Sequence, residues 1–242
     1  MKDIELMKKR DVICARFAPW LPYLCVALFL MSFALLSRRT CVASDCLSIS
    51  EIFEQVQRRY AAADFEADFF QESRIEAMGI VDTAQGHVCF RRPAMMRWHY
   101  RTPEEYLIIS DGESVWIYRP ADNQVMVGSC AGYFGDTKLA EFFTEPRKLL
   151  DDFVVRLAAT EPEKKDLFVL KLLPKKKRPN LVELILTVSK DTFDILESVT
   201  SNTFGDRTSI RFSDFKFDQG LDLSLFVFKI PKNADVLELE PQ

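Results

Sequence analysis

From Phe65 onward, apolar residues alternate with polar ones in short runs broken by turn signals, and this period of two constrains the fold most. Phe65, Ala67 and Phe69, set against Glu66 and Asp68, open a strand that runs to about Ala77. Gly86, Val88 and Phe90 mark one face of the next strand, and Met96, Trp98 and Tyr100 one face of the third. Tyr106–Ser110 and Ser114–Arg119 flank Asp111-Gly112, the strongest hairpin signal in the chain, and Gln124–Val127 follows. Strands are expected again at Phe153–Ala158, Phe168–Leu173, Val182–Val188, Ile195–Thr200, Thr208–Phe217 and Leu225–Ile230. Nearly all the connections are too short for a parallel crossover, so the expected fold is mainly β (α+β). It is a curved antiparallel sheet of about 11 strands in meander order.

Two segments keep a helical period instead. Ile49, Ile52, Phe53, Val56 and Tyr60 share one face of a helix before the first strand, with Ser48 or Ser50 as its N-cap. After the small-residue loop at positions 128–135, Asp136 or Thr137 can cap a second helix, Lys138–Phe143, and Pro146 can restart it toward Leu150. Leu139, Phe142, Phe143, Leu149 and Leu150 give this insert a broad apolar stripe, which ordinary core packing would also require.

Residues Phe17–Leu36 carry no charge and follow Lys8, Lys9, Arg10 and Arg16, the pattern of an export segment with its basic end held in the cytoplasm. Pro19 and Pro22 shorten its uninterrupted core to Tyr23–Leu36, and small residues near Ala43 and Ser44 fit a signal-peptidase site. Residues 1–44 are therefore expected to be a signal peptide and residues 45–242 a single domain in the periplasm. Arg38 and Arg39 oppose translocation and keep an uncleaved membrane anchor open as the competing reading. A lipoprotein signal acylated at Cys41 or Cys46 has poor flanking residues.

Removing seven basic and three acidic residues with the first 44 takes the net charge from −4 to −8, which argues against a nucleic-acid partner. The basic run Lys175-Lys176-Lys177-Arg178 lies between two strands and reads as a solvated hairpin tip. Of the six cysteines, the three in residues 45–242, Cys46, Cys89 and Cys130, set no disulfide framework, although one pair could form. With no C-x-x-C and two histidines, neither a metal site nor a cofactor is expected. His87 and His99 have no partner at a telling spacing and read as structural. No G-x-S-x-G, phosphate-cradling loop or H-E-x-x-H is present, and the carboxylates are scattered, so no enzyme is expected.

Several pieces recur in one order. Phe69-Phe70-Gln71 is followed by Gly86, Arg91-Arg92-Pro93, Arg97-Trp98-His99-Tyr100 and Pro103. Then come Ser110-Asp111-Gly112, Val115–Pro120, Gln124-Val125, Thr208–Phe217, Phe226-Val227-Phe228, Pro231 and Asp235-Val236. In this order and spacing the chain from about Ser48 resembles the LolA-type outer-membrane lipoprotein carriers. The resemblance implies an incomplete β-barrel closed by a helical lid around an apolar cavity for lipoprotein acyl chains. It implies a monomeric, non-enzymatic periplasmic chaperone. Cargo would come from an inner-membrane ATP-driven lipoprotein release complex and pass to an outer-membrane receptor. The rival reading is a periplasmic lipid- or peptide-sensing regulator with the same open barrel. Such regulators carry a further C-terminal domain, which is not expected here.

The resemblance also assigns roles. Arg92 matches an arginine that holds lid-helix carbonyls in the closed state, a task its fan of donors suits; alone it would read as a surface residue at a strand end. Arg91 should face the other way, so that one of the two latches inward and the other meets solvent. Met96 either lines an adaptable mouth or fills a gap in the sheet, and Ile108 belongs to the same lining set. Trp98 and Trp116 either line the cavity or form a cross-strand aromatic pair. Leu139, Phe142, Phe143 and Leu149 would form the inner surface of the lid.

Overall fold

The computed structural model describes residues 47–130, 133, 143, 146–158 and 165–239. The expected export segment Phe17–Leu36, Leu139 and Phe142 lie outside these residues. Among the described residues no helix is long and apolar enough to cross a membrane.

The first helix, α1, is Ile49–Arg59. Ser48 caps it with both halves of a capping box: its hydroxyl accepts the Glu51 amide while the Glu51 carboxylate accepts the Ser48 amide at 2.8 Å. Those bonds to Ser48 hold the Glu51 carboxyl below its ordinary range. Arg58 and Arg59 complement the carbonyl end. Ile52, Phe53 and Val56 are buried, as the 3.6-residue spacing requires.

Twelve strands follow: β1 Asp64–Ile75, β2 Ile80–Arg91, β3 Met95–Thr102, β4 Tyr106–Ser110, β5 Ser114–Arg119 and β6 Gln124–Ser129. After a short helix α2, Leu149–Asp152, come β7 Phe153–Leu157, β8 Leu167–Pro174, β9 Glu183–Ser189, β10 Ile195–Ser201, β11 Arg207–Phe217 and β12 Asp235–Glu238. They form one sheet in the order β12-β6-β5-β4-β3-β2-β1-β11-β10-β9-β8-β7. The chain therefore builds two meanders outward and inward, joined where β1 meets β11, instead of one continuous meander. Among the described residues β12 and β7 do not pair, so the barrel is incomplete.

A flat sheet of twelve strands would be roughly 50 Å wide at about 4.8 Å per strand. Yet Ile117 of β5 and Leu172 of β8, eight strand positions apart in the sheet order, belong to one hydrophobic core. The sheet must curl to bring them together. Gly86 marks a tight place in the curl: a Cβ there would sit 2.0 Å from the His99 carbonyl oxygen and 2.8 Å from the Phe69 ring.

The convex side carries a second, smaller core. Residues expected to form a strand at Leu225–Ile230 instead make a 3₁₀ turn, Leu223–Phe226, and an extended run that pairs with no strand. The alternation there is real, since Phe226 is fully buried while Val227 is exposed. Its carbonyls, however, are used by side chains: Arg91 donates to Leu221 O and Arg97 to Leu225 O at 3.3 Å. Arg91 thus binds this segment instead of meeting solvent. Phe226 covers the outer face with Cys89, Ile109 and Val125, none of which belongs to the main core, and Phe228 lies 6.3 Å from Trp116 and 5.5 Å from Tyr118. The last strand then forms ten residues later and pairs in parallel with β6. Buried Asp64 fastens the start of this wrap, its two carboxylate oxygens accepting the Gln219 and Leu221 amides at 2.7 and 2.9 Å.

Candidate functional site

The concave wall is set by strand parity. β1 contributes Phe65, Ala67 and Phe69; β2 contributes Val88 and Phe90; β3 contributes Met96, Trp98 and Tyr100. Ile108 faces Trp98 across β3–β4 and Ile117 across β4–β5, and Leu170, Leu186 and Phe212 extend the wall on the far meander. Trp98 lies 5.0 Å from Phe69 and 6.1 Å from Phe212, ring to ring. Its indole N–H is buried without a hydrogen-bond partner, which costs about 1–3 kcal/mol. This is the one place on the apolar wall where a donor stands unused among the described residues. Toward one side the wall turns polar: Tyr100 stacks on Tyr106 at 4.1 Å and donates to Gln71 Oε1 at 3.0 Å. Burial raises the Tyr100 hydroxyl well above the ordinary phenol range.

Two elements cover this wall. One is α1. The other is the described part of the connection between β6 and β7, Phe143 and residues 146–152. The described part of the crossover is deeply buried: Phe143 is 2% exposed and Leu149 fully buried, and Pro146 packs with α1 nearby. The Phe143 ring stands 4.9 Å from Phe90, 5.2 Å from Tyr60 and 5.3 Å from both Phe65 and Phe212. It fills the centre of the concavity. The basic hairpin tip is solvated as expected, with Lys175, Lys176 and Lys177 exposed. It also ties to the end of the crossover, where Lys175 donates to Leu150 O at 2.9 Å and part-buried Arg178 pairs with Asp152 at 3.5 Å.

The carbonyl end of α1 is held by four ties. Arg92 Nη2 and Nε donate to Tyr60 O at 2.9 and 3.3 Å. Arg59 pairs with buried Asp194 at 2.7 Å and lies 3.8 Å above the Phe217 ring. The Ile195 amide donates to the Tyr60 hydroxyl at 3.0 Å, and burial drives that hydroxyl far above its usual range. Asp194 is itself oriented by the Thr192 hydroxyl at 2.6 Å. A charge-assisted bond at a helix carbonyl end stabilises that end and breaks as a unit when the helix leaves.

The expected site residues divide accordingly. Arg92, Met96, Trp98, Ile108, Phe143 and Leu149 converge on the concavity or its cover. Trp116 does not. In register with Ile109 and Val127, it points to the convex side, because Ile117 takes the inward place opposite Ile108. It is also no neighbour of Trp98, since β4 lies between their strands. Ile117 and Phe212 were the missing wall residues, and strand parity counted from Ile108 would have found the first.

The histidines also depart from expectation. Both have carboxylate partners: His87 Nδ1 lies 2.7 Å from Asp68 and His99 Nε2 lies 2.9 Å from Glu105. Spacing along one strand misses these, because Asp68 faces His87 from the neighbouring strand. Cys89 and Cys130 are both free thiols, the latter within hydrogen-bond reach of Ser110. Two open surface hollows are present, the first of them reaching Phe69 and Phe212 of the wall. One, of about 480 Å³, opens beside Asp68, Phe70, Arg101 and Arg211; the other, of about 690 Å³, lies at the basic tip around Lys177, Arg178 and Thr203. Neither is lined by Trp98, Ile108 or Phe143.

Comparison with known proteins agrees with this architecture. An outer-membrane lipoprotein carrier protein of Azotobacter vinelandii is 28% identical over 170 residues, covering 70% of this chain and 79% of that protein. The protein of the same name from Actinobacillus pleuropneumoniae is 26% identical over 207 residues, covering 86% and 91%. The crystal structure of an uncharacterized conserved protein from Thermus thermophilus superposes with a TM-score of 0.53 at 17% identity, over 80% of this chain and all of that one, and shares the fold. Residues 61–229 match the family model described as outer membrane lipoprotein carrier protein LolA, and the chain belongs to that family.

Proposed function

We propose that this protein is a periplasmic carrier that shields the acyl chains of lipoproteins against its concave wall and moves them from the inner to the outer membrane. The observation that carries the reading is the closed apolar concavity. It is covered by α1 and the described part of the crossover; α1 buries Ile52, Phe53 and Val56 there and is tied at its carbonyl end by polar contacts. The relatives named as lipoprotein carriers support the same reading.

The energetics favour such a design. An acyl chain of sixteen carbons costs roughly 12 kcal/mol in water at about 0.8 kcal/mol per methylene. A cover that stays shut on its own side chains avoids presenting an equivalent bare surface when no cargo is present. Loading exchanges Phe143 and its neighbours for the chain, so affinity is the difference between two similar burials and release remains accessible. The unused Trp98 N–H would donate to an ester or amide carbonyl at the head of the lipid, orienting it within an otherwise apolar wall.

Export through Phe17–Leu36 with cleavage near Ala43–Ser44 would free the domain to leave the inner membrane, and the partners would be the ATP-driven release complex there and a receptor at the outer membrane. Native mass spectrometry of the protein purified from the periplasm tests the proposal. Bound acylated protein is the expected result. Protein that is always empty and cannot take lipoprotein from membranes would end the proposal, and a free phospholipid or glycolipid would assign the cavity a different cargo.

A further inference from the structure

On the convex face, away from the concavity, β1 and β2 bring together three groups of the kind that hold transition metals. Glu66 pairs across the ladder with Cys89, and Asp68 with His87. Because side chains alternate, all four share one face. One carboxylate oxygen of Glu66, a ring nitrogen of His87 and the Cys89 sulfur lie within 4.8 Å of one another. Tetrahedral coordination with bonds of about 2.0–2.3 Å places ligand atoms roughly 3.3–3.8 Å apart, so small side-chain rotations suffice.

The hydrogen bonding around the trio orients it. Asp68 Oδ1 stands 2.7 Å from His87 Nδ1, placed to accept a hydrogen bond from that nitrogen. With the Nδ1 proton given to Asp68, as metal ligation requires, Nε2 would turn a lone pair toward Glu66 Oε2, 3.5 Å away. Either a proton on Nε2 or a metal ion in its place would join these two groups. An outer carboxylate holding a histidine in this tautomer is the usual second layer of a metal site. Lys216 occupies only the other oxygen of Glu66, at 2.8 Å, and leaves Oε2 available. Arg97, directly across from Cys89 on β3, is held toward the Leu225 carbonyl. The side chains of Glu66 and His87 are 19% and 23% exposed, enough for an ion to enter.

We infer that Glu66, His87 and Cys89 form a binding site for a borderline divalent transition-metal ion of the zinc class, with Asp68 as its orienting residue. Thiolate, imidazole and carboxylate together suit zinc better than calcium or magnesium, which take oxygen ligands. A fourth position is left for water. The site does not depend on the carrier reading, since it lies on the opposite side of the sheet from the acyl wall.

The test is titration of the metal-stripped protein with cobalt(II), followed by displacement with zinc(II). One equivalent of cobalt is expected to give a thiolate-to-cobalt charge-transfer absorption and the intense visible bands of four-coordinate cobalt. Cys89→Ser should abolish the charge-transfer absorption and Cys130→Ser should leave it intact. Asp68→Asn should weaken both metals about 10- to 100-fold. Circular dichroism of each variant separates loss of ligand from loss of fold, and Glu66→Gln provides a second ligand variant should Cys89→Ser not fold. Absence of the thiolate absorption in the wild type, or its survival in Cys89→Ser, overturns the inference. A simple imidazolium ion pair between Asp68 and Glu66 would give that negative result.

Discussion

Phe143→Ala is expected to lower the stability of the empty protein by about 3–5 kcal/mol and at the same time to tighten its hold on acyl chains. The first half follows from packing. The Phe143 ring touches four aromatic rings at centroid distances of 4.9–5.3 Å and is 2% exposed, so truncation leaves a cavity the sheet cannot close. For a domain of this size the thermal midpoint should fall by roughly 6–20 °C. The second half distinguishes a plug from an ordinary core residue. If Phe143 is displaced whenever cargo enters, its contacts are already lost in the loaded state, and removing them destabilises only the empty one. A fluorescent long-chain acyl probe should then bind at least tenfold more tightly to the variant. Equal or weaker binding would make Phe143 plain core and would remove the crossover from the mechanism.

Arg92→Leu is expected to leave the fold intact, let α1 open more readily and stop cargo from being handed on. The guanidinium binds the Tyr60 carbonyl through two nitrogens at the point where the helix dipole is negative. A hydrogen bond to a charged donor is worth about 1.5–3 kcal/mol, so losing it shifts the balance toward the open form roughly 10- to 150-fold. Arg59–Asp194 and the Ile195–Tyr60 bond remain, which is why the helix should still dock. Hydrogen exchange should accelerate in residues 49–60 while the sheet amides stay protected. Cargo should load but remain bound, because closure no longer competes with the chain for the wall. Delivery to acceptor membranes at the wild-type rate would show that Arg92 is not the latch. Arg92→Lys should recover part of the effect, since an ammonium can donate but cannot use two nitrogens at once.

Both variants act at places that differ in how far the sequence exposes them. Strand positions such as β3 and β4 were legible because one buried face forces alternation. The hairpin at Asp111-Gly112 was legible because its turn chemistry is specific. The meeting of β1 with β11 was not, because pairing at a separation of well over a hundred residues leaves no local trace. The same limit hid the Asp68–His87 pair and the Arg59–Asp194 pair. Trp116 was misassigned for a different reason: on a strand with both faces covered, apolar residues occupy inward and outward places alike, so the period of two loses its meaning. The segment after β11 misled in a third way. Its alternation is that of a strand, but Arg97 takes the Leu225 carbonyl and the run pairs with no strand among the described residues. Arg92 is singled out by family resemblance, and the structure places its guanidinium on the Tyr60 carbonyl; its adjacency to Pro93 alone does not separate it from Arg91.

The most direct measurement is to load the protein with a lipoprotein whose acyl chain carries a photoreactive group and to map the crosslinks after illumination. If the concavity is the acyl site, adducts should fall on Trp98, Ile108, Ile117, Leu170, Leu186 and Phe212, and on Phe143 of the displaced cover. Convex-face residues Trp116, Tyr118 and Phe228 should remain unlabelled in the same sample. Labelling confined to the convex face, or equal labelling with deacylated cargo, would contradict the carrier account at its centre.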